Sequence, residues 1–169
     1  TPLAAPAFAA PTCRAAEPLP AIAELPWAQR WLQPERVWPL ATGRGVTVAV
    51  LDSGVDAGHP QLRDGQVLAG VDMVTNAGPG NVDCDSHGTA VGSIVAARPV
   101  RGIGFAGVAP GASLLPVRVV DQGVERSTPG EEPPVSPTVL ATAMRWATDQ
   151  GARVINVSVV IGDRRLIIY

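Results

Sequence analysis

Two side chains in the first half of the chain could act together in proton transfer: the carboxylate of Asp52 and the imidazole of His87. His87 lies in the stretch NVDCDSHGTAVGSIVAA, residues 81–97, which predicts a helix that begins near the histidine. An imidazole in the first turn of a helix is close to the positive end of the helix dipole, which favours its neutral form. A carboxylate that accepts a hydrogen bond from this imidazole would hold it ready as a general base.

The predicted helix must place His87 at the edge of the protein core. Its apolar stripe, at helical spacing on the side of the histidine, consists of Ala90, Val91, Ile94 and Val95. Asp85 and Ser86 are the candidates for the N-cap. Gly88 and Gly92 are four residues apart, so they offer a bare face on which another backbone can pack closely.

Asp52 ends the apolar run VTVAVL at residues 46–51, which predicts a strand buried on both faces of a parallel sheet. The carboxylate then lies at the carboxyl end of a core strand, where open α/β sheets place their sites. Ser53 and Gly54 follow at once and predict a turn.

The remaining pattern predicts further strands at residues 66–74, 112–120 and 153–160, the last of them buried. Pro116 inside the second of these indicates a sheet edge or a bulge. Ser136 and Pro137 predict the start of a helix that ends before Gly151. Strand, helix and strand in this order predict a βαβ crossover. The predicted fold class is therefore α/β, with a doubly wound, mostly parallel sheet.

Four sequence blocks in this order resemble the subtilisin-like serine proteases: DSGVDAGHP at 52–60, HGTAVGSIVAA at 87–97, GVAPGASLLPVRVV at 107–120 and VINVS at 154–158. The DCDSHGT form of the second block, together with a proline-rich extension that carries a cysteine, is similar to the mycosins of type VII secretion systems. The resemblance implies a serine endopeptidase with a triad in the order Asp, His, Ser, in which Asp52 and His87 fill the first two roles. It also implies a polypeptide substrate and makes secretion-machinery subunits candidate partners.

The resemblance spans residues 43–160 and includes neither a GTS-type nucleophile block nor an asparagine block for the oxyanion hole. Asn156 belongs to the VINVS block and is not assigned to that hole. We therefore expect the N-terminal part of a peptidase, inactive by itself, with its last strand as an exposed apolar edge. The alternative is a non-catalytic structural subunit of an envelope secretion complex.

Other residues could compete for the chemistry. His59 precedes Pro60 in a predicted turn and is interpreted as a loop residue. Asp83, Asp85 and His87 alternate along a loop, but that spacing does not by itself make a closed coordination shell. The sequence predicts no metal and no cofactor.

Cys13 and Cys84 are the only cysteines of the chain. Cys84 could be considered as a thiol nucleophile, but two cysteines in an exported chain more simply form a disulfide. The resemblance to mycosins implies that this bond ties the N-terminal extension to the active-site side of the domain.

Composition and length fit one domain with a hydrophobic core: 169 residues, 46% hydrophobic, with a net charge of −2. This charge gives no nucleic-acid or polybasic membrane signal. No run reaches the roughly 20 apolar residues of a membrane span, so a membrane anchor, if one exists, lies outside this sequence.

Three regions are predicted along the chain. Residues 1–10 either resemble the end of a secretory signal peptide or form an alanine- and proline-rich tail. The first interpretation suggests an exported protein of the extracellular space or cell envelope. Residues 11–42 form a proline- and tryptophan-rich extension, with a short helix at 27–32 whose Trp27 and Trp31 could anchor it through buried aromatic area. Residues 43–169 form the N-terminal part of the peptidase domain. The charged, proline-rich loop at 121–137 is either mobile or faces a partner.

Overall fold

The structure is a computed structural model that describes residues 21–120 and 135–161. The predicted signal-peptide remnant and almost all of the 121–137 loop lie outside these ranges. The described elements are α1 (Trp27–Leu32), a 3₁₀ helix (Pro34–Arg36), β1 (Thr47–Asp52), β2 (Val71–Asp72), α2 (His87–Ala96), β3 (Ser113–Arg118), α3 (Pro137–Asp149) and β4 (Val154–Val157). None of the helices in the described ranges is long and apolar enough to cross a membrane.

The four described strands form one parallel sheet in the order β2-β3-β1-β4. β1 is buried from Val48 onward. Val48 and Val50 belong to the core cluster that includes residues of α2, whereas Ala49 and Leu51 belong to the cluster that includes residues of α3. Helices therefore cover both faces of β1, which explains its uninterrupted apolar sequence and confirms the predicted α/β class.

β3 carries Pro116 although it lies between two other strands. On the β2 side, Val67 lies opposite Leu114 and Val71 lies opposite Val117. The segment that leads into β2 therefore has one more residue than β3 between these two pairs, which makes a bulge. Gly70 lies in this bulge with φ of 63°, and a Cβ there would collide with the carbonyl oxygen of Pro116. The bulge faces Pro116, which has no backbone N–H to pair. Of the two arrangements predicted at Pro116, a sheet edge or a bulge, the bulge is confirmed.

The strand predicted at residues 66–74 is wrong in its extent. Only Val71–Asp72 forms a strand, and Val67 contributes an isolated bridge. The left-handed backbone of Gly70 interrupts the ladder between them.

The apolar stripe predicted for α2 is wrong for two of its four residues, since only Val91 and Val95 pack against the core. Ala90 is exposed, and 57% of Ile94 is accessible to solvent. The buried face consists instead of Gly88, Thr89, Gly92, Ser93 and Ala96. A Cβ at Gly92 would lie 3.0 Å from Cδ1 of Leu114, so the helix packs on the sheet at a distance that only small residues allow. The predicted use of the two glycines for close approach is confirmed.

The helix predicted at 27–32 is present, but its two tryptophans do not anchor it. Trp27 and Trp31 are 74% and 82% exposed, because both lie on the outer face of a helix that buries no residue. Polar contacts attach the extension instead. The side-chain amide of Gln29 donates to and accepts from the backbone of Ala106, and Nε1 of Trp38 donates to the carbonyl of Val108 at 3.0 Å.

α3 follows the sequence prediction closely. Pro137 is its first residue, Leu140, Ala143 and Ala147 are its buried ones, and Gly151 follows its end with φ of 84°. β4 pairs with β1 at the edge of the described sheet. Val154 is 50% exposed and Val157 is 37% exposed, so the prediction of a buried strand is wrong, whereas the expected apolar edge is present.

Candidate active site

The structure brings Asp52 and His87 together, because the carboxyl end of β1 and the first turn of α2 meet at one edge of the sheet. Nδ1 of His87 lies 2.7 Å from Oδ1 of Asp52. The Asp52 side chain is 2% exposed and that of His87 is 39% exposed. A carboxylate shielded from water thus holds an imidazole that solvent can reach. Nε2, on the opposite side of the ring, is the atom that would exchange protons with a substrate or nucleophile.

The carboxylate of Asp52 is fixed through one oxygen. The backbone N–H of Ser53 donates to Oδ1 at 2.7 Å, so this atom serves both the backbone and the imidazole. Hydrogen bonds to an ionised acceptor are stronger than neutral ones. Oδ2 is buried and makes no hydrogen bond with any described residue.

The start of α2 is not capped as predicted. Ser86 occupies the N-cap position, but no side chain there makes a cap hydrogen bond. Asp83 and Ser53 cap the helix instead: Oδ2 of Asp83 accepts from the N–H of Thr89 at 2.8 Å, and Oγ of Ser53 accepts from the N–H of Gly88 at 3.0 Å. Sequence reasoning missed both caps, since Asp83 lies four residues before the helix and Ser53 lies in the turn after β1, 35 positions before Gly88.

Gly88 allows the histidine to approach the carboxylate. A Cβ at this position would overlap the carbonyl oxygen of Gly54 and lie 3.0 Å from Cβ of Asp52. The glycine directly after His87 is therefore required by the close contact between α2 and the turn that follows β1.

Asp72 and Arg118 are functional-site neighbours that sequence reasoning did not identify. In the sheet, Arg118 is the register partner of both Asp52 and Asp72. Its Nη1 lies 2.6 Å from Oδ2 of Asp72, and both side chains are less than one tenth exposed. Burial alone would raise the pKa of Asp72, but hydrogen bonds from Thr75 and Arg118 outweigh it and lower the pKa below its ordinary value. The carboxyl edge of the sheet thus carries a buried ion pair next to Asp52.

His59 lies apart from this pair. Its Nδ1 accepts a hydrogen bond from the N–H of Gln61 at 3.3 Å within the same loop. Burial lowers the pKa of His59, against the opposite effect of the Asp56 carboxylate. This placement agrees with its interpretation as a loop residue.

The residues Asp83, Asp85 and His87 do not form a metal-binding group in the described part of the chain. The carboxylate oxygens of Asp83 accept hydrogen bonds from Ser53 and from Thr89. Cys84 is in disulfide form. Its predicted partner, Cys13, lies outside the described residues, so that pairing stays a prediction.

Comparison with known proteins gives the family. Residues 43–164 match the profile of the Peptidase_S8 family, described as the subtilase family. The chain belongs to the subtilase family. Mycosin-1 of Mycobacterium tuberculosis is a similar subtilase, 41% identical over 142 residues, which cover 79% of this chain and 31% of mycosin-1. Thermitase of Thermoactinomyces vulgaris is 38% identical over 128 residues, which cover 75% of this chain and 42% of thermitase.

Solved subtilase structures share the fold. The crystal structure of MycP1 with its N-terminal propeptide removed aligns with a TM-score of 0.67 and 37% identity, over 80% of this chain and 38% of MycP1. A chain in the periplasmic assembly from the ESX-5 inner membrane complex aligns with a TM-score of 0.65 and 32% identity, over 83% of this chain and 39% of that one. The resemblance to subtilases of the mycosin type is confirmed. By sequence, the chain spans less than a third of the length of mycosin-1 and mycosin-3, which are longer than the chains in the solved structures.

Proposed function

We propose that this chain carries two of the three triad residues of a subtilisin-like serine endopeptidase, with Asp52 as the orienting carboxylate and His87 as the general base. The observation that carries the proposal is the 2.7 Å contact between Oδ1 of Asp52 and Nδ1 of His87 in a chain of the subtilase family. With Nδ1 donating to the carboxylate, Nε2 is the basic nitrogen of the neutral ring.

The two residues would act in acyl transfer. Nε2 of His87 takes the proton of a serine hydroxyl while the serine oxygen attacks the carbonyl carbon of the peptide, and Asp52 stabilises the imidazolium that forms. The imidazolium then gives that proton to the leaving amine, and the peptide C–N bond breaks to leave an acyl-enzyme. Water then repeats the sequence: His87 takes a proton from water as the water oxygen attacks the ester carbon. The ester bond to the serine oxygen breaks, His87 returns the proton to that oxygen, and the acyl part leaves as a carboxylic acid.

We propose that the nucleophile lies outside these 169 residues. None of the serines has the sequence context of a subtilase nucleophile: Ser53, Ser86, Ser93, Ser113, Ser127, Ser136 and Ser158. Ser53 lies beside Asp52, but its Oγ donates to Asp83 at 2.9 Å and accepts from Gly88, so its hydrogen is given to Asp83 and not to the imidazole. We expect the 169 residues alone to hydrolyse no peptide bond, because they contain neither the motif of the nucleophile nor the motif of the oxyanion-hole asparagine.

The similarity to mycosins supports a role in type VII secretion. The similar structures include MycP1 from the ESX-1 type VII secretion system and a chain of the ESX-5 periplasmic assembly. We therefore propose a polypeptide substrate, secretion-machinery subunits as partners, and a location outside the cytoplasm or in the cell envelope.

A fluorophosphonate probe, which phosphonylates an activated serine with loss of fluoride, tests the proposal on the full-length protein. We expect covalent labelling of the wild type, loss of labelling in His87→Ala, and retained labelling in the matched control His59→Ala. The 169-residue fragment should not be labelled. Labelling that survives His87→Ala would contradict the role of this base. An unlabelled full-length protein without peptidase activity would favour the alternative, a non-catalytic structural subunit of an envelope secretion complex.

A further inference from the structure

Asp83 lies at the centre of a hydrogen-bond network that the proposed reaction does not use directly. Its Oδ1 accepts from Oγ of Ser53 at 2.9 Å and from the backbone N–H groups of Asp85 and Ser86 at 3.0 Å each. Its Oδ2 accepts from the N–H of Thr89 at 2.8 Å and from Oγ1 of Thr89 at 2.6 Å. One carboxylate thus joins the turn after β1, the loop before α2 and the first turn of α2.

The two hydroxyls bound by Asp83 each make a second hydrogen bond across the site. Oγ of Ser53 accepts from the N–H of Gly88 at 3.0 Å, and Oγ1 of Thr89 accepts from the N–H of Asp56 at 2.9 Å. An ionised carboxylate only accepts hydrogen bonds, so it fixes the direction of both hydroxyl hydrogens. The hydroxyl lone pairs then remain for the backbone N–H groups. Two side-chain links in opposite directions therefore hold residues 53–56 against α2.

These links lie immediately beside the contact between Asp52 and His87. Ser53 follows Asp52 and Gly88 follows His87, so the bond from Gly88 to Ser53 runs next to the bond from His87 to Asp52. Ser86, directly before the histidine, has φ of 73°, a left-handed conformation that is uncommon for residues other than glycine. Its N–H is one of the donors to Asp83.

We propose that Asp83 is a positioning residue that sets the contact between Asp52 and His87. This inference rests on the proposed function, since the positioned pair consists of the proposed orienting carboxylate and general base. Asp83 acts by orienting the hydroxyls of Ser53 and Thr89 and by holding the backbone that leads into His87. It touches neither reacting atom.

Asp83→Asn is the sharpest variant, because it keeps the size of the side chain and changes one acceptor oxygen into a donor. If the NH₂ group replaces Oδ2, it faces the N–H of Thr89; if it replaces Oδ1, it faces the N–H groups of Asp85 and Ser86. Either orientation therefore sets the amide against at least one backbone donor that cannot rotate away. The matched control is Asp64→Asn, whose exposed carboxylate pairs with Arg98 at the surface.

Peptide turnover by the full-length protein gives the first measurement. We expect Asp83→Asn to lower kcat by about 10²-fold, the scale of a displacement of about 1 Å in a catalytic group, with little change in KM. Asp64→Asn should match the wild type. In an Asp52→Asn background, Asp83→Asn should cost little more, because residues that act as one unit are not additive. A role confined to folding stability would cost the same factor in both backgrounds.

The proton on Nδ1 of His87 gives a second measurement that needs no turnover. We expect its low-field NMR resonance in the wild type and in Asp64→Asn, its loss in Asp52→Asn, and a shifted or broadened resonance in Asp83→Asn. If the protein had no peptidase activity, the proposed function would fail while this spectrum still tested the positioning role. The inference would be overturned if Asp83→Asn kept the wild-type resonance and the wild-type kcat. It would also be overturned if the loss in kcat from Asp83→Asn were as large in the Asp52→Asn background as in the wild type.

Discussion

Gly88 and Asp52 lie so close together that a Cβ at Gly88 would be 3.0 Å from Cβ of Asp52. The glycine belongs to the first turn of α2, and the aspartate is the last residue of β1. The bond from Nδ1 of His87 to Asp52 depends on this approach, because His87 directly precedes the glycine. Geometry at the proposed site is therefore set by backbone packing as much as by the two side chains.

Gly88→Ala should lower both stability and activity. The new methyl group meets the Gly54 carbonyl and Asp52, which are rigid neighbours, so we expect a loss of about 1–3 kcal/mol in the free energy of unfolding. Gly92→Ala in the same helix is the matched control. In Gly92→Ala the new methyl group meets the movable end of the Leu114 side chain. The higher helix propensity of alanine stabilises this variant by about 1 kcal/mol. Urea denaturation of both variants measures the difference, and equal stabilities would refute it.

Asp52→Asn should abolish most turnover and leave the fold intact. A neutral amide cannot stabilise the imidazolium of His87 as a carboxylate does, and the corresponding change in a triad costs about 10⁴-fold in kcat. Steady-state kinetics of the full-length protein measure the loss, and circular dichroism checks the fold. Turnover close to that of the wild type would remove Asp52 from the mechanism.

Asp72→Asn should destabilise the protein at neutral pH more than at acid pH. The pKa of Asp72 is lowered in the folded state, so its stabilising effect is complete above the unfolded value of about 3.9 and is lost as the pH falls through the folded pKa. In Asp72→Asn the buried guanidinium of Arg118 would lose its charged partner. Breaking a buried ion pair in this way lowers the free energy of unfolding by about 3–5 kcal/mol.

Denaturation at pH 7 and at pH 3 measures how far the two stabilities converge. Asp64→Asn breaks the exposed pair with Arg98 and serves as the control, with an expected loss below about 1 kcal/mol at either pH. A constant difference between Asp72→Asn and the wild type across this pH range would show that ionisation of Asp72 is not what stabilises the fold.

Cys13 and Cys84 should form one disulfide in the exported protein. They are the only two cysteines in the sequence, and Cys84 is in disulfide form. The loop closed is about 70 residues long, for which the chain-entropy model gives on the order of 4 kcal/mol. Peptide mapping by mass spectrometry under non-reducing conditions should find the cross-linked pair. Two free thiols would leave the extension attached by its polar contacts alone.

The sequence by itself determined the class of the fold and the pair of candidate residues. The run before Asp52 is apolar at nearly every position, and this requires a strand covered on both faces. The helix signals at Pro137 and Gly151 are local, because a fixed φ and a left-handed cap act on neighbouring residues alone, and both ends were predicted correctly.

Only the tertiary structure decided how α2 packs and what holds His87 in place. The apolar residues of α2 predicted one buried face, but steric access to the sheet selected the face with Gly88 and Gly92. Asp83 gave a weak local signal, because its role depends on Ser53, which is 30 positions away in the chain. Periodicity reports the average environment of a helix, whereas close contacts and hydrogen bonds between distant segments depend on how those segments meet in space.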